Sequence, residues 1–318
     1  MRRLGWIPFL LFIHCSSATV TKKPGPTTGP EEPSPVDAAD DEVDAAPVST
    51  LDAGTLAPDL APATCDPPDV LIVLDRTVSM RRTPSGGLPS NTVGGRAQSK
   101  WGLAVNAVHQ LTAAPTDGTV RFGLELFPKN PGGGQCKTLP QILSGISPTN
   151  SYCQSGEVLT PPELSIGSTI DTELTQDNTP LCASTPIGAA LDSAANQLMA
   201  TSAAGHTQFI VLVSDGRENC GTGPVNAIAQ AAQDGVLTHV IGFGADLDAV
   251  NVQLLNAMAC AGQTAKDFAT SCVMSGTTYV PVQPNSTVPL YYDARDGTAL
   301  QTQLNTVTGQ LCCGCSIT

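Results

Sequence analysis

Beyond residue 20 the sequence contains no apolar run near the ~20 residues that a membrane-spanning helix needs, so a bundle of spanning helices is excluded. Basic residues are scarce: 15 Lys and Arg stand against 28 Asp and Glu, a net charge of −13. That balance excludes nucleic acid as a partner, because phosphates require a basic face. Histidine is scarcer still, at positions 14, 109, 206 and 239. None of these lies in a motif with a nucleophile. The sequence also lacks a G-x-S-x-G elbow and a phosphate-cradling loop of the Walker type. Without a base, a nucleophile or a phosphate loop, the chain is expected not to be an enzyme.

The chain opens with Met1-Arg2-Arg3 and an apolar stretch from Leu4 to Ile13, and Ser16-Ser17-Ala18 then offer small residues for cleavage after Ala18. This reads as a secretory signal over residues 1–18. Lipid anchoring at Cys15 is the rival reading, and His14 stands against it where a small residue is wanted. Residues 19–64 are rich in Pro, Thr, Ala and acid and contain no aromatic residue. Such a composition cannot bury enough surface to offset its ordering entropy. With nine acidic residues against Lys22 and Lys23, this segment carries −7 and reads as an extended, disordered spacer. Removing that −7 and the +2 of Arg2 and Arg3 from −13 leaves −8 for the remainder.

Eleven cysteines become an even ten once Cys15 is removed. An even, dense set points to disulfides in an oxidising compartment, so a secreted or cell-surface location is expected. Candidate pairings are Cys136 with Cys153, Cys182 with Cys220, Cys260 with Cys272, and Cys65 with the Cys312-Cys313-Gly314-Cys315 cluster. Spacing alone does not fix connectivity. Zinc at the C-terminal cluster is disfavoured, since no second Cys or His pair accompanies it.

Residues 65–315 alternate between strand-like and helix-like apolar periods, as a doubly wound, mostly parallel α/β sheet flanked by helices requires. Val70–Leu74 and Phe209–Val213 are continuous apolar runs suited to strands buried on both faces. His239–Phe243 is a third. Val120, Phe122, Leu124 and Leu126 alternate with Arg121, Gly123 and Glu125, which predicts one wetter face. Helical spacing recurs at Trp101/Val105/Val108/Leu111, Ile187/Leu191/Ala194/Leu198, Val225/Ile228/Ala229/Ala232, Leu247/Val250/Leu254/Met258 and Leu300/Leu304/Val307/Leu311. Either Thr277–Val282 or Val288–Tyr292 fills the edge strand. A loop-rich insertion covers roughly 128–184, with a strand near Glu157–Thr160 and a helix near Ile166–Leu174.

Five oxygen-bearing side chains then stand out. Asp75, Thr77 and Ser79 form D-x-T-x-S directly after the first strand, Thr185 opens a helix, and Asp215 follows the second buried run. Singly, each has an ordinary explanation: a strand end, a helix cap before Pro186, an Asp-Gly turn. Together, loops at the carboxyl ends of strands in an open α/β sheet converge where the strand order reverses. The set resembles the metal-ion-dependent adhesion site of von Willebrand factor type A domains of the bacterial secreted or surface kind. The family pattern is D-x-S-x-S, a distant Thr and a distant Asp, with Thr77 here in place of Ser.

The resemblance implies a divalent cation, Mg²⁺ or else Mn²⁺ or Ca²⁺, held by Asp75, Thr77, Ser79, Thr185 and Asp215. Hard cations take oxygen ligands, and Mg²⁺ retains waters that an outside group can replace. The implied function is metal-dependent protein binding or adhesion, the shell being completed by an acidic side chain of a protein partner. A structural or envelope-assembly role, with the metal only bracing loops, is the first alternative. A metal-dependent hydrolase is the second, and it lacks a general base beside the ion. Arg76 and Arg217 read either as solvated loop charges or as selectors of an acidic partner. The domain is expected to be monomeric.

Overall fold

The computed structural model describes residues 66–311 except 114–115, 150–152, 202–204 and 217. The signal segment, the spacer, Cys65, Arg217 and the C-terminal cysteines lie outside the described residues. The first strand, β1 (Asp69–Asp75), is buried along its whole length. It pairs in parallel with β2 (Arg121–Phe127) on one side and β4 (Gln208–Ser214) on the other. Outside β2 runs the antiparallel β3 (Glu157–Glu163). Beyond β4 lie β5 (Val236–Phe243) and a short β8 (Tyr292–Ala294), both parallel. The order β3-β2-β1-β4-β5-β8 reverses direction between β1 and β4.

Period-two strands sort their side chains into two layers. Val70, Ile72 and Leu74 pack with Trp101, Val105 and Val108 of α2 (Lys100–Thr112) and with Leu300 and Leu304 of α9 (Gly297–Leu311). Leu71 and Val73 pack with α5 (Ile187–Thr201), α6 (Pro224–Gln233) and α7 (Ala249–Ala261). Shorter helices are α1 (Val93–Arg96), α3 (Leu139–Leu143), α4 (Gly167–Glu173) and α8 (Phe268–Ser271). The doubly wound, mostly parallel sheet expected from the apolar pattern is what forms. Full burial of each aliphatic side chain of β1 is worth about 2 kcal/mol, which holds the strand ends, and therefore the loops after them, in fixed register.

Four readings of the pattern need correction. β2 has no wet face: Glu125 is fully buried and Phe122–Phe127 are all inside. Gly123 lets the β3 backbone close over that side, since a Cβ there would lie 2.8 Å from the Pro162 nitrogen. In α7 the buried residues are Val252, Leu255, Asn256 and Met258–Ala261, while Val250 is 72% exposed. Leu247 precedes the helix and so cannot set its phase.

At the sheet edge, only Tyr292 of the two candidate segments joins the main sheet. Thr278–Pro281 forms β7, which pairs with β6 (Cys272–Ser275) in a separate hairpin. The Val288–Leu290 stretch is captured by buried Asn256, whose amide nitrogen donates to the Ser286 and Val288 carbonyls (3.2 and 3.0 Å) and whose oxygen accepts from the Leu290 N–H (2.6 Å).

The disulfides are the fourth. Among the described residues, Cys260–Cys272 forms as paired in the sequence, whereas Cys136 bridges Cys182 and Cys153 bridges Cys220. The backbone explains the exchange. Lys137 and Leu181 exchange hydrogen bonds (2.9 and 2.8 Å), so Cys136 and Cys182 are brought side by side.

Candidate functional site

Asp75 ends β1 and Asp215 follows β4, so two adjacent parallel strands deliver both carboxylates to one rim, at the reversal of strand order. Asp75 is wholly buried. Its Oδ1 accepts the Thr77 N–H at 2.7 Å and its Oδ2 accepts the Ser214 hydroxyl at 2.8 Å. Burial, and after it the nearby Asp215 carboxylate, pushes Asp75 up to about 7, against the hydrogen bonds from Thr77 and Ser214. A carboxylate placed close to a buried acid disfavours the charged form of that acid. Asp215 is 6% exposed, and its Oδ1 has no hydrogen-bond partner. A buried polar atom left without one calls for an explanation.

Thr77 is buried and Ser79 half-buried, and their hydroxyl oxygens lie 2.6 Å apart. Ser79 sits in the 3-10 turn Val78–Arg81, which carries its hydroxyl back toward the strand end. Met80 of the same turn packs into the core. The loop bearing Thr185 lies alongside: Val78 N–H donates to the Cys182 carbonyl, and Cys182 N–H donates to Arg76, both at 2.9 Å. Ser184 has φ 72°, a strained backbone for a side-chain-bearing residue. It turns the chain into Thr185, whose N–H donates to Asn219 Oδ1 at 2.6 Å. Direct contacts thus join Asp75, Thr77 and Ser79, charge interaction joins Asp215, and the loop that carries Thr185 is paired at Cys182 with the Arg76–Val78 backbone.

Gly216 is required after Asp215. It has φ 83°, and a Cβ would press on Leu255, Asn251 and Leu247 at 3.2–3.4 Å. Arg76 fits neither sequence reading. It is 3% exposed, with its guanidinium on Glu157 at 2.6 Å and on the Pro128 carbonyl at 2.7 Å.

Sequence reasoning missed several residues of this rim. Ser214 holds Asp75. Glu218 accepts from the Ile187 N–H at 2.7 Å and the Thr222 hydroxyl at 3.0 Å, placing a carboxylate at the N-terminus of α5, where the helix dipole favours it. Lys100, only 2% exposed, places its Nζ 3.3 Å from Asp215 Oδ2 and 2.8 Å from Asp246 Oδ1. One signal for Lys100 was present: it falls on the apolar stripe of α2 that continues through Ala104, Val108 and Leu111. Ser79, Lys100, Asp215, Asp246 and Asp248 line a cavity of about 140 Å³.

The donor set fits a hard divalent cation. It offers two carboxylates, one with an unpartnered buried oxygen, and a hydroxyl pair, with Ser79 and Asp215 lining a small polar cavity. Among the described residues, no group of three or more His, Cys, Asp or Glu could hold a metal ion. A cation would therefore rest on two carboxylates plus neutral hydroxyls, a set suited to oxygen-seeking ions rather than to the nitrogen and sulfur ligands common around zinc.

The sequence model of the von Willebrand factor type A domain matches residues 174–274. That stretch, about a third of the chain, is similar to the von Willebrand factor type A domain. The matched stretch holds Thr185 and Asp215 but stops short of the Asp75–Ser79 loop. No curated protein sequence matches the chain. Among solved structures it is similar to proximal thread matrix protein 1 from the mussel byssus (15% identity, 78% of this chain and 49% of that one, TM-score 0.47). It is also similar to the pilus adhesin SpaC from Lactobacillus rhamnosus GG (14%, 78% and 30%, TM-score 0.47). A third is the manganese-loaded TRAP protein of Plasmodium vivax (16%, 76% and 73%, TM-score 0.39). The chain spans about half or less of the length of the first two. Among the described residues no helix is long and apolar enough to cross a membrane.

Proposed function

We propose that this von Willebrand factor type A domain binds a protein partner through a divalent cation held by Asp75, Thr77, Ser79, Thr185 and Asp215. One observation carries the reading: two buried carboxylates meet at the ends of adjacent strands, beside a hydroxyl pair, with an oxygen of Asp215 left unpartnered. The cation is Mg²⁺, with Mn²⁺ or Ca²⁺ as substitutes. When bound, it offers an electrophilic position to an outside carboxylate, so the partner presents an acidic side chain.

The chain's own residues do the rest. Ser214 and the Thr77 N–H orient Asp75, and the Asn219 side chain holds the Thr185 backbone. The role is binding rather than catalysis: among the described residues, Asp75 and Asp215 serve as ligands, Asp246 is paired with Lys100, and Asp248 caps the N-terminus of α7. The protein acts outside the cell or on its surface as a monomer. The disulfides support that location.

Calorimetric titration of the wild type and Asp75→Ala with Mg²⁺ and Mn²⁺ tests the site. Heat of binding in the wild type and none in the variant is expected; equal affinity in both removes Asp75 from the shell. Capture of a Glu-bearing peptide library, with and without EDTA, tests the function. Capture that survives EDTA while the chelator lowers the melting temperature would leave the ion a structural brace only.

A further inference from the structure

Lys100 is an unusual presence at this rim. It is the first residue of α2, the end of a helix where a positive charge is disfavoured. Its side chain is nonetheless 2% exposed, with the ammonium shared between Asp215 and Asp246. A buried ammonium is costly unless paired, and these two carboxylates are the pair.

The surroundings are built to fit it. Its backbone N–H is fixed by the Arg82 carbonyl at 2.7 Å, and the loop above is tied down where the Ala245 N–H donates to Pro84 at 2.8 Å. Gly244 (φ 131°) leaves the necessary space: a Cβ there would lie 3.0 Å from the ammonium and 2.5 Å from Asp246 Oδ1. The two carboxylates are not equivalent. The bond to Asp246 is the shorter, and Asp246 is 30% exposed against 6% for Asp215.

We propose that Lys100 is a tethered counter-cation that competes with the divalent ion for Asp215 and moves fully onto Asp246 when the ion binds. This rests on the cation reading of Asp75 and Asp215. An ammonium 3.3 Å from a carboxylate that is to ligate the ion repels that ion across a short, poorly solvated distance. In the cation-free protein the same ammonium neutralises one of two adjacent buried acids. Lys100 therefore holds the empty rim together and sets a threshold of cation activity below which the rim stays closed to a partner. Asp246 is where the displaced charge rests.

The two positions predict opposite changes. In Mn²⁺ titrations of the chelator-treated protein, Lys100→Met is expected to bind at least tenfold more tightly than the wild type and to melt at a lower temperature before Mn²⁺ is added. Asp246→Asn removes the resting place and is expected to bind Mn²⁺ at least threefold more weakly. Lys100→Gln, which keeps a donor, substitutes for Lys100→Met should the latter not fold. If the wild type and all variants bind no Mn²⁺, the cation reading fails and this inference with it. If the wild type binds but Lys100→Met and Lys100→Gln bind no better, or Asp246→Asn binds as well as the wild type, the cation reading stands and the competition does not.

Discussion

Arg76 turns away from the rim it interrupts. It ties the start of the Asp75–Ser79 loop to β3 through Glu157 and to the Pro128 carbonyl. Its burial lowers its affinity for the proton, and Glu157 works the other way. Removing one partner of a buried pair costs about 3–5 kcal/mol, and the 31% exposure of Glu157 reduces that. Arg76→Ala is expected to lose about 2 kcal/mol in denaturant unfolding while Mn²⁺ affinity changes less than threefold. A larger loss of affinity with little loss of stability would place Arg76 at the cation instead. At this scale legibility depended on locality. Asp75 and Asp215 could be read because each ends an apolar run, so its position at a strand end is written beside it. For Lys100 only its place on the apolar stripe could be read, since the carboxylates that make its burial tolerable lie 115 and 146 residues further on.

Elements were legible wherever one face met one layer. The strands β1, β4 and β5 announce themselves as apolar runs, and α2, α5 and α9 bury the stripes their spacing describes. Where an element is held by something non-local, the pattern misled. Asn256 holds residues 286–290 out of the sheet, and the insertion folds back so that Cys153 meets Cys220 rather than its sequence neighbour. That bridge spans 67 residues and anchors the loop whose Asn219 holds Thr185. The chain-entropy model assigns a loop of that size about 4 kcal/mol, and measured losses run about 2–5. Cys153→Ser with Cys220→Ser is therefore expected to lose at least 2 kcal/mol by chemical denaturation. It should also weaken Mn²⁺ binding about tenfold, because Thr185 loses its fixed neighbour. Stability lost with affinity intact would show that Thr185 is positioned without the bridge.

Across the whole molecule, two buried titratable groups away from the rim give the fold a defined pH range. Glu125 is enclosed where β2 meets α5, close enough to Gly156 that a Cβ there would overlap its Oε1. Burial pushes its carboxyl up to about 8, with Ser193 pulling the other way. His239, flanked by the tilted rings of Phe209 and Tyr292 with centroids 5.9 and 5.8 Å away, is pushed down to about 4 by burial, as a packed core histidine should be. The folded state holds the Glu125 proton more tightly than the unfolded chain, so this residue erodes stability as pH rises from ~4.5 to ~8. His239 acts in the opposite sense. The folded state resists its protonation, so stability is lost as pH falls from ~6.5 to ~4. Between about 4.5 and 6.5 these two slopes oppose each other, and above 6.5 Glu125 alone of the pair still contributes. At ~1.4 kcal/mol per pH unit, each group is worth up to about 3 kcal/mol, Glu125 at pH 7 and His239 at pH 4. In chelator, Glu125→Gln should gain on the wild type steadily from pH 4.5 to 8, and His239→Phe should gain on it as pH drops below 6.5. Chelation keeps the cation rim out of the comparison. Variant and wild-type profiles that run parallel across those ranges would mean that both groups titrate as they do in the unfolded chain, and that water reaches them inside the fold.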